Sequence, residues 1–235
     1  MPDYVIPVQD VVGLPVAGTE QLFPVRRIYC VGRNYAGHAR EMGSDPEREP
    51  PFFFCKPGDA QCVVPVAPGQ LAELPYPPAT NNLHYECELV VAIGKGGSDI
   101  AVADAASHIF GYAVGFDMTR RDLQFTMRDA GRPWEIGKAF DYSAPIGVLH
   151  RAGDVSAIDK AAIRLDVDGV TRQQSSIDHL IWSIDETIAR LSTLFALAPG
   201  DLIFTGTPEG VGAVVRGQVL DGSVAGLSPV KVKIV

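Results

Sequence analysis

Asn81-Asn82-Leu83-His84-Tyr85-Glu86-Cys87-Glu88-Leu89-Val90-Val91-Ala92-Ile93-Gly94 opens in turn residues and runs into an apolar segment closed by glycine, the pattern of a buried strand. Side chains alternate between the two faces of a strand, which puts His84, Glu86 and Glu88 on one face and Tyr85, Cys87, Leu89 and Val91 on the other. Two carboxylates so close on a strand entering the core repel each other and are costly to bury as anions. A hard divalent cation is the simplest compensation. The strand therefore reads as the floor of a metal site that the rest of the chain completes.

With 235 residues, 46% of them hydrophobic, the chain can build one sizeable core. The expected organisation is a single domain over 24–235 preceded by a short N-terminal extension over 1–23. Twenty-four glycines and 18 prolines, spread along the chain, make turns frequent and long helices few. That composition favours a mixed, β-rich α+β fold over a helical bundle. A net charge of −8, with no Lys/Arg run, argues against a nucleic-acid partner. No uninterrupted apolar stretch reaches the length of a membrane span, and MPDYVIPVQD shows no signal-peptide pattern. Cys30, Cys55, Cys62 and Cys87 form no CxxC pair, so reduced thiols in a cytoplasmic protein are expected.

Outward from the carboxylate strand, Gly13-Leu14-Pro15 and Ala17-Gly18 read as turns, and Arg27–Gly32 as a strand stopped by glycine. Arg33–Gly43 reads as a short helix ending at Gly43, on which His38 and Glu41 are i,i+3 neighbours. Spacing alone makes that pair an exposed surface pair. Ser44–Pro51, polar and proline-bearing, reads as a mobile loop placed to act as a lid. Pro51–Asp59 is a strand running into a turn, with Lys56 read as a surface lysine at its end.

In Ile109–Asp117 the bulky residues Phe110, Tyr112, Val114 and Phe116 share one face, and Gly111, Ala113, Gly115 and Asp117 the other. The small face leaves room for something other than protein. If this strand lies beside the Glu86/Glu88 strand, Asp117 becomes a third carboxylate in the same pocket. Thr119-Arg120-Arg121-Asp122 has the form of a capping box for a helix stopping at Gly131. Arg121 and Gln124 then fall in its first turns, near a helix N-terminus able to favour an anion. Lys138, between a glycine and an aromatic neighbourhood, reads either as a surface residue or as a buried cation facing an enolate. Asp168-Gly169 signals a hairpin. Ser183–Ala196 reads as a core helix with a Ser183…Glu186 capping box. The hydroxyls and N–H groups of Thr205-Gly206-Thr207 suit a carboxylate or phosphate.

Taken in order, Gly32-Arg33-Asn34-Tyr35, His38…Glu41, Phe54-Cys55-Lys56-Pro57, His84-x-Glu86-x-Glu88, Gly115-Phe116-Asp117-Met118-Thr119, Lys138 and Thr205-Gly206-Thr207-Pro208 resemble the fumarylacetoacetate hydrolase superfamily from about residue 26 to the end. Asp117–Gln124 and Gly131–Lys138 look most like its fumarylpyruvate (acylpyruvate) hydrolase branch. The resemblance implies a β-sandwich or roll with few short helices, an Mg²⁺ or Mn²⁺ ion, and a homodimer. Carried over residue by residue, it makes Glu86, Glu88 and Asp117 the metal ligands. His38 and Glu41 become a lid dyad in which the carboxylate orients a water-activating histidine. Lys138 matches the lysine that stabilises the enolate, and Gln124 a polar group over the reacting carbonyl. Arg33, Arg121 and Thr207 are substrate-contact candidates. Two positions depart from the pattern: Cys55, and Tyr85, which stands where many relatives carry histidine. On the strand reading Tyr85 points away from the metal face and leaves the ligands undisturbed.

The implied enzyme is a hydrolase of carbon–carbon bonds in ketonic substrates. Its substrate is a 2,4-dioxo acid, best 3-fumarylpyruvate giving fumarate and pyruvate in gentisate-type aromatic catabolism. Oxaloacetate decarboxylation, or isomerisation and decarboxylation of 2-hydroxyhepta-2,4-diene-1,7-dioate, is the rival reading. A metal-stabilised protein without catalysis is the non-enzyme alternative. The presence of both His38 and Glu41 disfavours the isomerase and the non-enzyme.

Overall fold

The computed structural model describes residues 4–41 and 49–235. Its largest sheet runs Phe52–Lys56 (β4), Ile28–Gly32 (β3), Leu202–Phe204 (β15), Cys87–Ile93 (β8), Ile109–Phe116 (β9), Ala144–Ile146 (β11) and Val63–Pro65 (β5). His150–Arg151 (β12) also pairs with β9. A five-stranded sheet orders Val170–Ser176 (β14), Ala162–Val167 (β13), Val219–Val224 (β17), Val230–Ile234 (β18) and Leu71–Leu74 (β6). A small sheet sets Leu83–Tyr85 (β7) between Thr119–Arg120 (β10) and Gly212–Val214 (β16), and Gly13–Pro15 (β1) pairs with Leu22–Pro24 (β2). The α-helices are Ala36–Glu41 (α1), Arg121–Asp129 (α2), Glu135–Lys138 (α3) and Ile184–Ser192 (α4). This is the mixed, β-rich sandwich with few short helices that the sequence implies. Among the described residues no helix is long and apolar enough to cross a membrane.

β8 explains the layering. Leu89, Val91 and Ile93 join one core, shared with Leu165, Leu220 and Val232 of the five-stranded sheet. Val90 and Ala92 join a second core on the other face, capped by Leu14, Val16 and Phe23 of the β1–β2 segment. A strand covered on both faces reads as a continuous apolar run, as residues 89–93 do.

Several local expectations are corrected. Gly13–Pro15 is a strand rather than a turn. The small-residue face of β9 is filled by protein: a Cβ on Gly115 would lie 2.7 Å from Val90 Cγ2 and 2.9 Å from Phe204 Cε1. No capping box forms at α2. Its N-cap is Arg120, without a side-chain cap, and Asp122 instead accepts bonds from Thr80 Oγ1 (2.6 Å) and Asn81 N (3.2 Å). The Ser183–Glu186 box does form, although α4 stops at Ser192, four residues before Ala196. Asp168 (φ 50°) and Gly169 (φ 77°) make the expected hairpin turn between β13 and β14. The Gly43 helix stop and most of the Ser44–Pro51 lid loop lie outside the described residues.

Candidate active site

The opening stretch is two strands. β7 belongs to the small sheet and β8 to the large one, and Glu86 is the residue at which the chain passes between them. Asp117 occupies the equivalent corner between β9 and β10, and its N–H donates to the Glu86 carbonyl at 2.9 Å. Glu88 lies opposite Gly115 in the β8–β9 register. The three carboxylates thus converge, with one oxygen from each inside a 4.8 Å cluster, and all are buried.

Three buried cations surround them. Lys138 Nζ donates to Glu86 Oε2 (2.6 Å), Asp117 Oδ2 (2.8 Å) and Thr119 Oγ1 (2.8 Å). Arg121 reaches Glu86 Oε1 (2.6 Å), Gln124 Oε1 (2.6 Å) and His84 Nδ1 (3.3 Å). Lys56 Nζ lies 2.8 Å from Asp117 Oδ1 and donates to the carbonyls of Met118 (3.2 Å) and Lys138. The formal charges balance, yet unevenly. Burial raises the Glu86 pKa, but Lys138 and Arg121 outweigh it and hold the carboxyl well below its usual range. Among the described residues Glu88 makes no ion pair. Burial, and then Asp117 and Glu86, push it well above that range, against the Lys138 charge and one bond from Gly206 N at 2.7 Å.

The donor set fits a hard divalent cation: three carboxylates, close and buried, each offering one oxygen to the same space. The same carboxylates line a cleft together with His38, Gln124, Lys138, Thr207, Arg33, Phe54 and Trp134. His38 on α1 is buried, and its Nδ1 lies 3.4 Å from Oε2 of Glu41, which is itself exposed, so the pair bridges the cleft and the surface. Glu41 in turn accepts from Gly210 N at 3.2 and 3.3 Å. Burial would raise its pKa, but the bonds from His38 and Gly210 bring it below the ordinary value.

The other expected residues divide by what they touch. Gln124 gives its carbonyl oxygen to Arg121, leaving the amide N–H groups for the cleft. Arg121 is buried behind Glu86 and is not among the residues lining the cleft. The Thr207 hydroxyl donates to the Cys87 carbonyl (2.9 Å) and accepts from Gln173 Nε2 (2.8 Å). Arg33 (φ 58°) spreads its guanidinium near the Phe52 and Trp134 rings, 5.8 and 5.9 Å from their centroids.

Lys56 is buried, not the surface lysine that its place at a strand end suggests. It shares a strand face with Phe52 and Phe54, and Phe54 lines the cleft; that alignment was the available signal. Gln173, fully buried within a strand of mostly exposed polar residues, bonds Cys87 N, Thr207 Oγ1 and the Pro208 carbonyl. Nothing in Val-Thr-Arg-Gln-Gln-Ser-Ser distinguishes it from its neighbours.

Comparison with known proteins agrees with this architecture. The crystal structure of a fumarylpyruvate hydrolase from Pseudomonas aeruginosa in complex with Mn²⁺ and pyruvate superimposes with a TM-score of 0.97 at 61% identity, covering 99% of each chain. A fumarylpyruvate hydrolase of Ralstonia sp is 45% identical over 190 residues, 81% of this chain and 95% of that protein. A mitochondrial oxaloacetate tautomerase of Arabidopsis thaliana is 38% identical over 205 residues, 87% of this chain and 89% of that one. The family model for the C-terminal domain of fumarylacetoacetate (FAA) hydrolase matches residues 27–235, and the chain is an enzyme of the fumarylacetoacetate hydrolase family.

Proposed function

We propose that the protein hydrolyses the carbon–carbon bond of an acylpyruvate, with 3-fumarylpyruvate plus water giving fumarate and pyruvate as the best-fitting reaction, in gentisate-type aromatic catabolism. The observation that carries this reading is that His38, with Glu41 3.4 Å from its Nδ1, lines the same cleft as the Glu86/Glu88/Asp117 triad. Hydrolysis needs both an activated water and a sink for the departing carbanion. A divalent cation, Mg²⁺ or Mn²⁺, held by the triad would supply the charge that stabilises the enolate of the 2-oxo acid.

The protein's own groups supply the rest. With Nδ1–H directed to Glu41, His38 keeps Nε2 as the basic nitrogen and takes a proton from the attacking water. Water adds to the 4-carbonyl, the C3–C4 bond breaks, and its electron pair passes to the pyruvate enolate. Lys138 supplies a second positive charge there, Gln124 donates to the reacting carbonyl, and Arg33 faces an outer carboxylate. Arg121 orients Glu86, and Thr207 shapes the cleft wall.

The 38% identity to an oxaloacetate tautomerase supports a second reading, enol chemistry on oxaloacetate at the same site. The test follows loss of enol ultraviolet absorbance with fumarylpyruvate, acetylpyruvate and oxaloacetate, each with and without chelator, for the parent enzyme and His38→Ala. The expected result is chelator-sensitive cleavage of the acylpyruvates, lowered about 10²–10⁴-fold by His38→Ala. Turnover of oxaloacetate alone would overturn the hydrolase reading.

The enzyme is further proposed to work as a homodimer in the cytoplasm. Val5, Ile6, Val8 and Val11 are exposed, and among the described residues β4 is an edge strand of its sheet, carrying Phe52. Four free thiols suit a reducing compartment. Sedimentation of a monomer at micromolar concentration would remove the dimer.

A further inference from the structure

We propose that Tyr85 is a positioning residue for the His38–Glu41 dyad, acting through Gly210. The inference rests on the reading of His38 as the base. Tyr85 is the last residue of β7, opposite Gly212 of β16, and its ring is buried. Its hydroxyl donates to the Gly210 carbonyl at 3.0 Å. The N–H of the same residue donates to Glu41 Oε2 and Oε1 at 3.2 and 3.3 Å. A hydroxyl that fixes the Gly210 carbonyl therefore holds in place the residue whose N–H reaches the carboxylate.

The loop has little freedom to find another arrangement. Gly210 has φ 92°, and a Cβ there would collide with the Arg172 carbonyl oxygen. A Cβ on Gly212 would lie 2.7 Å from the Tyr85 hydroxyl. One residue earlier, the Glu209 carboxylate occupies the space beside Gly37, so α1 rests on this loop at Gly37 as well as at Glu41. The path runs from Tyr85 through Gly210 to Glu41 and then to His38. It bypasses the carboxylates of Glu86, Glu88 and Asp117, because Tyr85 projects from the opposite side of the chain to Glu86. A departure from the family pattern that looked silent is thereby connected to the base.

Tyr85→Phe keeps the ring and removes only the donor. With the full-length Mn²⁺-loaded enzyme and fumarylpyruvate, the expected result is a fall of about 3–10-fold in kcat. KM and Mn²⁺ affinity by calorimetry should stay within about twofold of the parent. The loss should vanish in a Glu41→Gln background, because the hydroxyl acts through that carboxylate. A parent-like kcat, an equal loss in the Glu41→Gln background, or a parallel loss of metal affinity would each overturn the proposal. The His38 ring nitrogen resonances give a readout independent of turnover. If the parent cleaves no acylpyruvate, the functional reading falls, and a His38 resonance moved by Tyr85→Phe still supports the link, whereas an unmoved one rejects it.

Discussion

Lys56 carries the sharpest lesson at the scale of single residues. An ammonium with a fully covered side chain is stable only because Asp117 Oδ1 stands 2.8 Å away and two carbonyls accept its protons. Lys56→Met keeps the aliphatic stem and leaves Asp117 without one of its two cations. With chelator present, the variant is expected to lose about 3–5 kcal/mol in urea denaturation. Mn²⁺ should recover part of that, since a bound cation takes over the charge of Asp117. A loss below about 1 kcal/mol, the range of an exposed pair, would show that the ion pair is solvated. The carboxylates were legible because acidic residues at period two in an apolar run have no cheap structural explanation. Lys56 was not, because a lysine at a strand end has a cheap one. Whether that end is wet depends on the neighbouring strands, which the local sequence does not specify.

At the scale of elements, the sequence was most informative where an element is stabilised by its own residues. The α4 capping box is closed between Ser183 and Glu186 and forms as read. The box expected at α2 fails because Asp122 is taken by Thr80 and Asn81, more than forty residues away in sequence. The small face of β9 fails similarly: glycines there admit Val90 and Phe204 instead of a ligand. Close approach between elements sets the site as well. A Cβ on Gly137 of α3 would lie 2.8 Å from Gln124 N and 2.9 Å from Gln124 Cα of α2. That contact fixes the spacing of Gln124 and Lys138, which come from different helices and line the same cleft. Gly137→Ala must push the two short helices apart, at a cost of about 1–3 kcal/mol. Because a misplacement of about 1 Å can cost on the order of 10²-fold in rate, activity should suffer far more than stability. The check is kcat/KM beside the denaturation midpoint, and unchanged kcat/KM would mean that this spacing is not needed.

At the scale of the whole molecule, the triad sits where strands leave one sheet for another, so a cation bound there ties the large sheet to the small one. An ion that binds the folded chain alone, at about a hundredfold excess over its Kd, stabilises it by about 2.7 kcal/mol. For a chain of this size that raises Tm by about 5–10 °C. Glu88→Gln separates this effect from the fold. In the metal-free protein the Glu88 pKa is raised by burial, Asp117 and Glu86, so its ionised form is disfavoured in the fold. A raised carboxyl pKa contributes stability at low pH that declines as pH rises above the unfolded value, near 4.3, and is lost by the folded one. Glutamine, shaped like the neutral acid, removes that decline. The metal-free Glu88→Gln protein should therefore be no less stable than the parent at neutral pH, and its Tm should depend less on pH between about 4 and 7. It should also lose most of the Mn²⁺-induced rise, because a cation needs the carboxylate that glutamine lacks. Scanning calorimetry of both proteins, with Mn²⁺ and with chelator, decides the matter. An equal Mn²⁺ shift in the two would place the ion somewhere other than between these carboxylates.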